Sequence, residues 1–282
     1  MSALSVPSPD LDRLSPHKFA KLSALIFDKT GIKMPSTKTT MLQGRLQRRM
    51  REIGIRTLDG YCDHLFDGSA DPDEMIHLIN AVTTNKTDFF REPGHFDFMA
   101  KTALPTLADN GRRRIRAWSA ACSTGAEPYT MAMVLDQFAQ KSGIDYGILA
   151  TDIDTVVLET ARRGIYPAEL VEPVPATLRQ RYVATAVDRG SSEVRIVPAL
   201  RSAIGFARLN LMDARYPVGE PMDIIFCRNV LIYFDKETQE RVVRRLCDNL
   251  RPGGYLFLGH SESIAGMDLP VRTASYTVFT KD

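Results

Sequence analysis

From Asn110 onward the chain alternates β-type runs with amphipathic helical segments, and that alternation constrains the fold more than any other feature. Arg114–Ser119, Tyr146–Ala150, Ile204–Leu209, Asp223–Cys227, Tyr255–Leu258 and Ser275–Thr280 read as strands. Glu127–Gln140, Thr155–Arg163 (stopped by Gly164) and Asp235–Leu250 read as helices between them. Strands separated by helix-length connections pair in parallel, through right-handed crossovers, so an open α/β sheet is expected. The alternation breaks over residues 174–203. There a short helix near Leu178–Tyr182 leads to a hairpin with Glu193–Val197 as one arm, which reads as an antiparallel insertion.

The first ninety residues carry a different pattern, that of short helices. Ser15-Pro16 supplies a cap and a first-turn proline, with Phe19, Leu22 and Ile26 on one face and Gly31 as the stop. Thr39–Ile53 places Leu42, Leu46 and Ile53 at helical spacing before Gly54. Thr57 caps a third helix carrying Leu58, Tyr61 and Leu65, and Asp71-Pro72 opens a fourth carrying Met75, Leu78 and Ile79. The polar stretch 83–88 leads to Phe89-Phe90-Arg91-Glu92-Pro93 and a further helix ending near Asp109. The expected organisation is a helical domain over 1–90, a linker helix over 91–109 and an α/β domain over 110–282.

Charge divides along the same line. Residues 1–56 hold eleven Lys and Arg against four Asp and Glu, a surplus of seven, in a chain whose net charge is +2. Arg45, Arg48 and Arg49 make a compact basic stripe on the second helix, which suggests an acidic partner. Basic residues here have little aromatic interleaving, which argues against nucleic acid. No apolar run approaches a membrane span, and the amino terminus lacks the pattern of a secretory signal. Cys62, Cys122, Cys227 and Cys247 are scattered, without CxxC pairs or histidines at ligand spacing, so neither a disulfide framework nor a zinc site is expected. A reduced, cytoplasmic protein follows.

Ligands of open parallel sheets bind beyond the carboxyl ends of the strands. The loop after the first strand, Ser119 to Glu127, is a run of small residues with Gly125 as its one glycine, so the GxGxxG dinucleotide fingerprint fails. The next strand ends at Asp152, where sheets of this kind accept hydrogen bonds from ribose hydroxyls, while Asp154 suits the cap of the following helix. A later strand empties into Arg228-Asn229, with Tyr233 five residues beyond Arg228. Arginine is the bidentate partner of carboxylates, which hints at an acidic acceptor. The Asn-Pro-Pro-Tyr motif of amino-methylating enzymes is missing here. His260 reads as a structural hydrogen-bonding residue, and His95 as capping or packing.

Five runs stand in order: TTNKTDFFRE (83–92), WSAACSTGAEPYT (118–130), ATDID (150–154), CRNVLIYF (227–234) and LRPGGYLFLGHSE (250–262). Together they closely resemble the CheR-type chemoreceptor glutamate methyltransferases, over almost the whole chain. The one departure at these positions is Ala126, where an acidic residue is frequent. The resemblance implies a class I methyltransferase-like doubly wound sheet that binds S-adenosylmethionine, with a small all-helical amino-terminal domain and an inserted antiparallel β subdomain. It implies methyl transfer to receptor glutamates, with S-adenosylhomocysteine as product and no metal. Donor contacts fall on Asn85, Thr87, Arg91, Glu127, Asp152, Asn210, Leu211, Arg228 and Asn229. Tyr233 falls beside the transferring methyl, with Arg91 and Arg228 as candidate holders of the acceptor carboxylate. The partner implied is the cytoplasmic helical region of chemoreceptors, met by a monomeric enzyme without membrane insertion. Docking of a receptor carboxyl-terminal tail on the hairpin is left open. Two other classes compete: a nucleic-acid methyltransferase, and a non-catalytic adaptor that binds the donor or a nucleotide.

Overall fold

The structure, a computed structural model, describes residues 14–68, 70–71, 73–185 and 192–282. Its contacts divide the chain into two compact units, the first ending at Thr83 and the second running over Thr84–Asp282. The helical unit therefore ends before residue 90, because Phe89 is buried in the core of the sheet unit rather than among the helices.

Among the described residues the first unit has four α-helices: α1 (Pro16–Thr30), α2 (Thr39–Ile53), α3 (Leu58–Phe66) and α4 (Glu74–Val82). Each ends as its sequence dictates. Gly31 and Gly54 take left-handed backbone after α1 and α2, and the Thr57 side chain accepts the Gly60 N–H at the start of α3. Leu22, Ile26, Leu42, Leu46, Met50, Leu58 and Leu78 fill the core.

The three arginines expected to share one stripe are put to different uses. Arg49 closes on buried Glu74, with Nη2 2.6 Å from Oε2 and Nε 3.1 Å from Oε1, and the Tyr61 hydroxyl donates to Oε1 at 2.7 Å. Arg45 donates to the carbonyls of Val82 and Thr83 at 2.9 and 2.6 Å. Arg48 alone is largely in solvent, its side chain 84% exposed and 3.5 Å from Glu52. Burial pushes the Glu74 carboxyl up, yet Arg49 and the Tyr61 hydroxyl bring it below its usual range. Removing that carboxylate strands a buried phenol and a guanidinium. Glu74→Ala is expected to cost about 2–4 kcal/mol, read as a lowered urea midpoint for the helical unit.

The second unit opens with α5 (Pro93–Phe98), a π turn (Met99–Ala103) and α6 (Leu104–Asp109), which run on as one helical stretch. Then follow β1 (Arg114–Ala120), α7 (Ala126–Ser142), β2 (Asp145–Asp152), α8 (Thr155–Arg163) and β3 (Ile165–Pro167). Next come α9 (Ala176–Tyr182), β4 (Val183–Thr185), β5 (Glu193–Ile196), α10 (Pro198–Ser202) and β6 (Ile204–Arg208). The chain closes with β7 (Met222–Cys227), α11 (Lys236–Asp248), β8 (Leu250–Leu258), β9 (Val271–Ser275) and β10 (Val278–Lys281).

Seven strands form the main sheet in the order β6-β2-β1-β7-β8-β10-β9, parallel from β6 to β8 and antiparallel beyond. The chain winds outward from β1 to β2 and β6, then returns to lay β7 and β8 on the other side of β1. The switch point thus lies between β1 and β7, where Ser119 pairs with Phe226. Phe226 stacks on Phe257 at 4.3 Å and on Phe96 at 5.5 Å, so the amino-terminal helical stretch of this unit seals one face of the sheet.

Two expectations are corrected here. The single last strand is a hairpin, β9 and β10, turning at Tyr276-Thr277, where Thr277 takes φ 52°. The insertion is a three-stranded sheet in the order β3-β5-β4 and begins at Ile165, before residue 174. A three-residue strand ending in proline carries no period from which to read it. Its β5 is the central strand, and Val194 and Ile196 are buried in the core. The hairpin's turn, residues 186–191, lies outside the described residues.

Candidate active site

Two loops face each other across the switch point: 121–125 after β1, and 228–233 after β7. Both are built from unusual backbone. All six described non-glycine residues with positive φ lie in the segments around this rim: Phe90, Glu92, Ala121, Ser123, Asn229 and Thr277. Such conformations cost free energy and persist only where surrounding bonds hold them.

In the first loop, Ala121 N–H and Cys122 N–H donate to the Thr151 carbonyl, and Ser123 N–H donates to Asp152 Oδ2 at 2.8 Å. Asp152 Oδ1 accepts the Asp154 N–H at 3.0 Å, while Asp154 caps α8 and takes the Asn85 side-chain amide at 2.7 Å. Ser123 Oγ donates to the Asn85 carbonyl at 2.9 Å, so segment 84–92 is tied to both rim acids. Burial pushes the Asp152 carboxyl up to about 6. A Cβ on Gly125 would lie 2.8 Å from the Tyr166 hydroxyl and 2.9 Å from Ala161 Cβ. Its smallness therefore serves the packing of α7 on α8 and β3. The Leu209 N–H donates to the Asp152 carbonyl at 3.0 Å, which brings Asn210 and Leu211 to the same corner.

The second loop is governed by buried charge. The Arg228 side chain is 2% exposed, its Nη2 lies 3.2 Å from Glu92 Oε2, and its Nη1 lies 3.6 Å from Glu127 Oε2. It also donates to the Arg91 carbonyl. Glu127 accepts the Ser119 hydroxyl at 2.7 Å, and burial pushes its carboxyl up. Burial acts on Glu92 in the same sense, but Arg228, the Asn229 amide and the His260 N–H bring it below its usual range. So enclosed, Arg228 stands as a fixed internal cation between two carboxyls. Arg91, half-buried with its guanidinium 3.0 Å from the Lys86 carbonyl, keeps surface at the rim, as do Thr87 and Tyr233.

Glu92 and Glu262 are the functional residues that sequence reasoning passed over. Both lie inside the quoted runs, which was the available signal. Glu92 Oε1 accepts the Asn229 side-chain amide at 3.2 Å and the His260 N–H at 3.3 Å. Glu92, His95 and His260 bring one donor atom each within 4.8 Å of one another. The Arg228 guanidinium already faces the same Glu92 oxygen and supplies the positive charge of that cluster. Burial, and then Arg228, push the His95 imidazole down to about 4, so it is neutral at pH 7, with Nε2 2.9 Å from Thr277 Oγ1.

Glu92, Glu127 and Asp152, with Asp154 and Glu262 beside them, thus outnumber Arg228, the one guanidinium fully buried among them. That excess of negative charge suits a cationic ligand with hydroxyls, such as a sulfonium nucleoside carrying an ammonium group. No Ser-His or Cys-His pair stands ready among the described residues, and burial pushes the Cys122 and Cys227 thiols up, out of nucleophilic range.

The comparisons with known proteins agree with this geometry. Residues 17–83 match the model of the CheR methyltransferase all-alpha domain, and residues 85–280 match that of the CheR methyltransferase SAM binding domain. The chain is 38% identical over 280 residues to chemotaxis protein methyltransferase 2 of Pseudomonas aeruginosa, covering 98% of each. It is 39% identical over 269 residues to the chemotaxis protein methyltransferase of Escherichia coli, covering 94% of this chain and 91% of that one. With the Borreliella burgdorferi enzyme of that name the identity is 34% over 259 residues, covering 90% of each. Two family models placed end to end, and relatives matched over nearly their full length, make this chain a member of the CheR methyltransferase family.

Proposed function

We propose that the protein transfers a methyl group from S-adenosylmethionine to glutamate side chains of chemoreceptors, forming γ-glutamyl methyl esters. The observation that carries this reading is the acidic rim at the switch point, closed around the one buried guanidinium of Arg228. Bound S-adenosylmethionine would supply a methyl group activated by a sulfonium. In this reading Asp152 accepts ribose hydroxyls and Glu127 faces the donor's ammonium. Asn85, Thr87, Arg91, Asn210, Leu211, Arg228 and Asn229 complete the donor's surroundings, Arg228 by holding Glu92 and Glu127 in place.

A glutamate acceptor is ionised at pH 7 and needs no general base. What remains for the protein is alignment and exclusion of water, which is proximity and orientation work. Tyr233, on the 3₁₀ turn Leu231–Tyr233, orients the acceptor oxygen through one neutral hydrogen bond, and half-buried Arg91 holds the carboxylate without quenching it. Tyr233→Phe is expected to lower kcat while leaving donor affinity nearly unchanged, since a group used mainly in the transition state is lost. Steady-state kinetics beside donor calorimetry reads this.

The partner in this reading is the helical cytoplasmic region of a receptor, met by a monomeric, cytoplasmic enzyme that uses neither metal nor nucleic acid. No helix among the described residues is long and apolar enough to cross a membrane. Of the three arginines, Arg48 has the most exposed side chain, which supports it as the one that meets receptor glutamates. Arg48→Glu should raise KM for receptor at low salt and flatten the salt dependence of kcat/KM, with donor affinity unmoved. A receptor tail adding a strand to the small sheet would pair with an edge strand, β3 or β4, rather than with central β5. The reading is tested by incubating a receptor cytoplasmic fragment with methyl-labelled donor. Label should enter the fragment, and replacing its accepting glutamates by alanine should abolish entry.

A further inference from the structure

Glu262 carries four hydrogen bonds on one buried carboxylate, and all four come from backbone. Oε1 accepts the N–H groups of Val230 and Leu231 at 2.9 and 2.7 Å; Oε2 accepts those of Asn229 and Gly259 at 3.0 and 2.6 Å. None of these N–H groups bonds within a helix or sheet ladder: Leu231 opens the 3₁₀ turn, where its N–H has no partner inside the turn, and the other three are loop residues at the carboxyl end of β7 or β8. The carboxylate thus replaces the partners that three successive residues of the reaction loop would otherwise lack. One of them, Asn229, has φ 58°, a left-handed conformation that a side chain disfavours. The packing leaves no slack: a Cβ on Gly259 would lie 2.6 Å from Asn229 Nδ2 and 2.9 Å from Glu262 Oε2.

The held segment runs straight into Leu231–Tyr233. Leu231 is buried and Tyr233 follows two residues later on the same single turn, so the backbone that Glu262 fixes sets where the phenol stands. We infer that Glu262 is a positioning residue for methyl transfer, acting through the backbone of residues 229–231 on Tyr233. This rests on the reading of Tyr233 given above. It also separates two tasks: Glu92 and Glu127 fix the side chain of Arg228, and Glu262 fixes the main chain that follows.

Glu262→Gln tests this with nearly constant volume. Its amide retains one acceptor oxygen and turns an NH₂ group toward two N–H donors, so two of the four bonds are lost. The expected result is a fall in kcat of about 10- to 100-fold, with donor Kd within about threefold of wild type. A purely structural role would lower kcat equally in any background. A positioning role predicts coupling: in a Tyr233→Phe background, Glu262→Gln should lower kcat by no more than about twofold further. An unchanged kcat in the single variant, or fully multiplicative losses in the double variant, overturns the inference. Should Glu262→Gln fail to fold, Glu262→Asp, which keeps the charge but withdraws it by one methylene, enters the same cycle with the same criterion. Wild-type enzyme that does not methylate receptor would overturn the functional reading itself, and the wild-type control separates that outcome from the others.

Discussion

Arg228→Met is expected to abolish methyl transfer and to lower the unfolding free energy by about 3–5 kcal/mol. The size follows from what the guanidinium does. It is buried between Glu92 and Glu127, over the rings of Phe96 and Phe226 at 5.5 and 5.7 Å, and its Nη2 bonds the Arg91 carbonyl. Methionine fills the space but leaves two largely buried carboxylates with no cation between them. One must take up a proton, and the charge pattern that suits a sulfonium ligand is lost. Arg228→Lys should recover little, because an ammonium cannot span both carboxylates and the carbonyl in one plane. Arg228→Met combined with Glu92→Gln should regain part of the stability but not the activity. Urea unfolding and single-turnover transfer measure the two effects separately. Stability regained in the double variant together with full activity would return Arg228 to a packing role.

Donor affinity should weaken as pH falls through about 6, and Asp152 should be the main cause. Its carboxyl is raised to about 6 by burial, so it is charged above that pH and neutral below. Ribose hydroxyls bond the charged form more strongly, and affinity is therefore full above the window and declines beneath it. Folding runs the other way. A carboxyl whose folded pKa exceeds its unfolded value costs stability where it is ionised, so acidification through this window relieves that cost in the free enzyme. Asp152→Ala should weaken donor binding at pH 7.5 by roughly 1.5–3 kcal/mol, the scale of a charge-assisted hydrogen bond, and flatten the pH profile. Glu127, also raised by burial, contributes in the same direction and should supply what dependence remains. Calorimetry at several pH values checks both statements; wild-type affinity in a folded Asp152→Ala protein would exclude the ribose contact.

Much of the fold was legible because its signals are local. Thr57 accepting the Gly60 N–H, Asp154 those of Val156 and Val157, and Asp235 that of Thr238 are caps that can be read from residue type and spacing. The position of Asp152 was legible for a related reason: the end of the second strand is a fixed place in this topology. What escaped is contact between residues far apart in sequence. Glu92 meets Asn229 across 137 residues, and Glu262 meets Asn229 across 33. Arg49 and Arg48 are adjacent and equally basic, yet one is clamped by Glu74, 25 residues away, and the other is in water. No periodicity distinguishes them. Three-residue strands such as β3 are invisible for another reason: they span too few residues to show alternation.

The central claim is that the acceptor is a carboxylate and the product a methyl ester, and its most direct measurement is the alkali lability of transferred label. Receptor methylated by this protein with methyl-labelled S-adenosylmethionine is treated with base, and the volatile label is counted as methanol. Esters hydrolyse under these conditions whereas N-methyl groups do not. The expected result is release of essentially all receptor-bound label as methanol, with none released from receptor incubated with Arg228→Met enzyme. Label that stays on the receptor after base would contradict the claim and assign the methyl group to an acceptor other than a carboxylate.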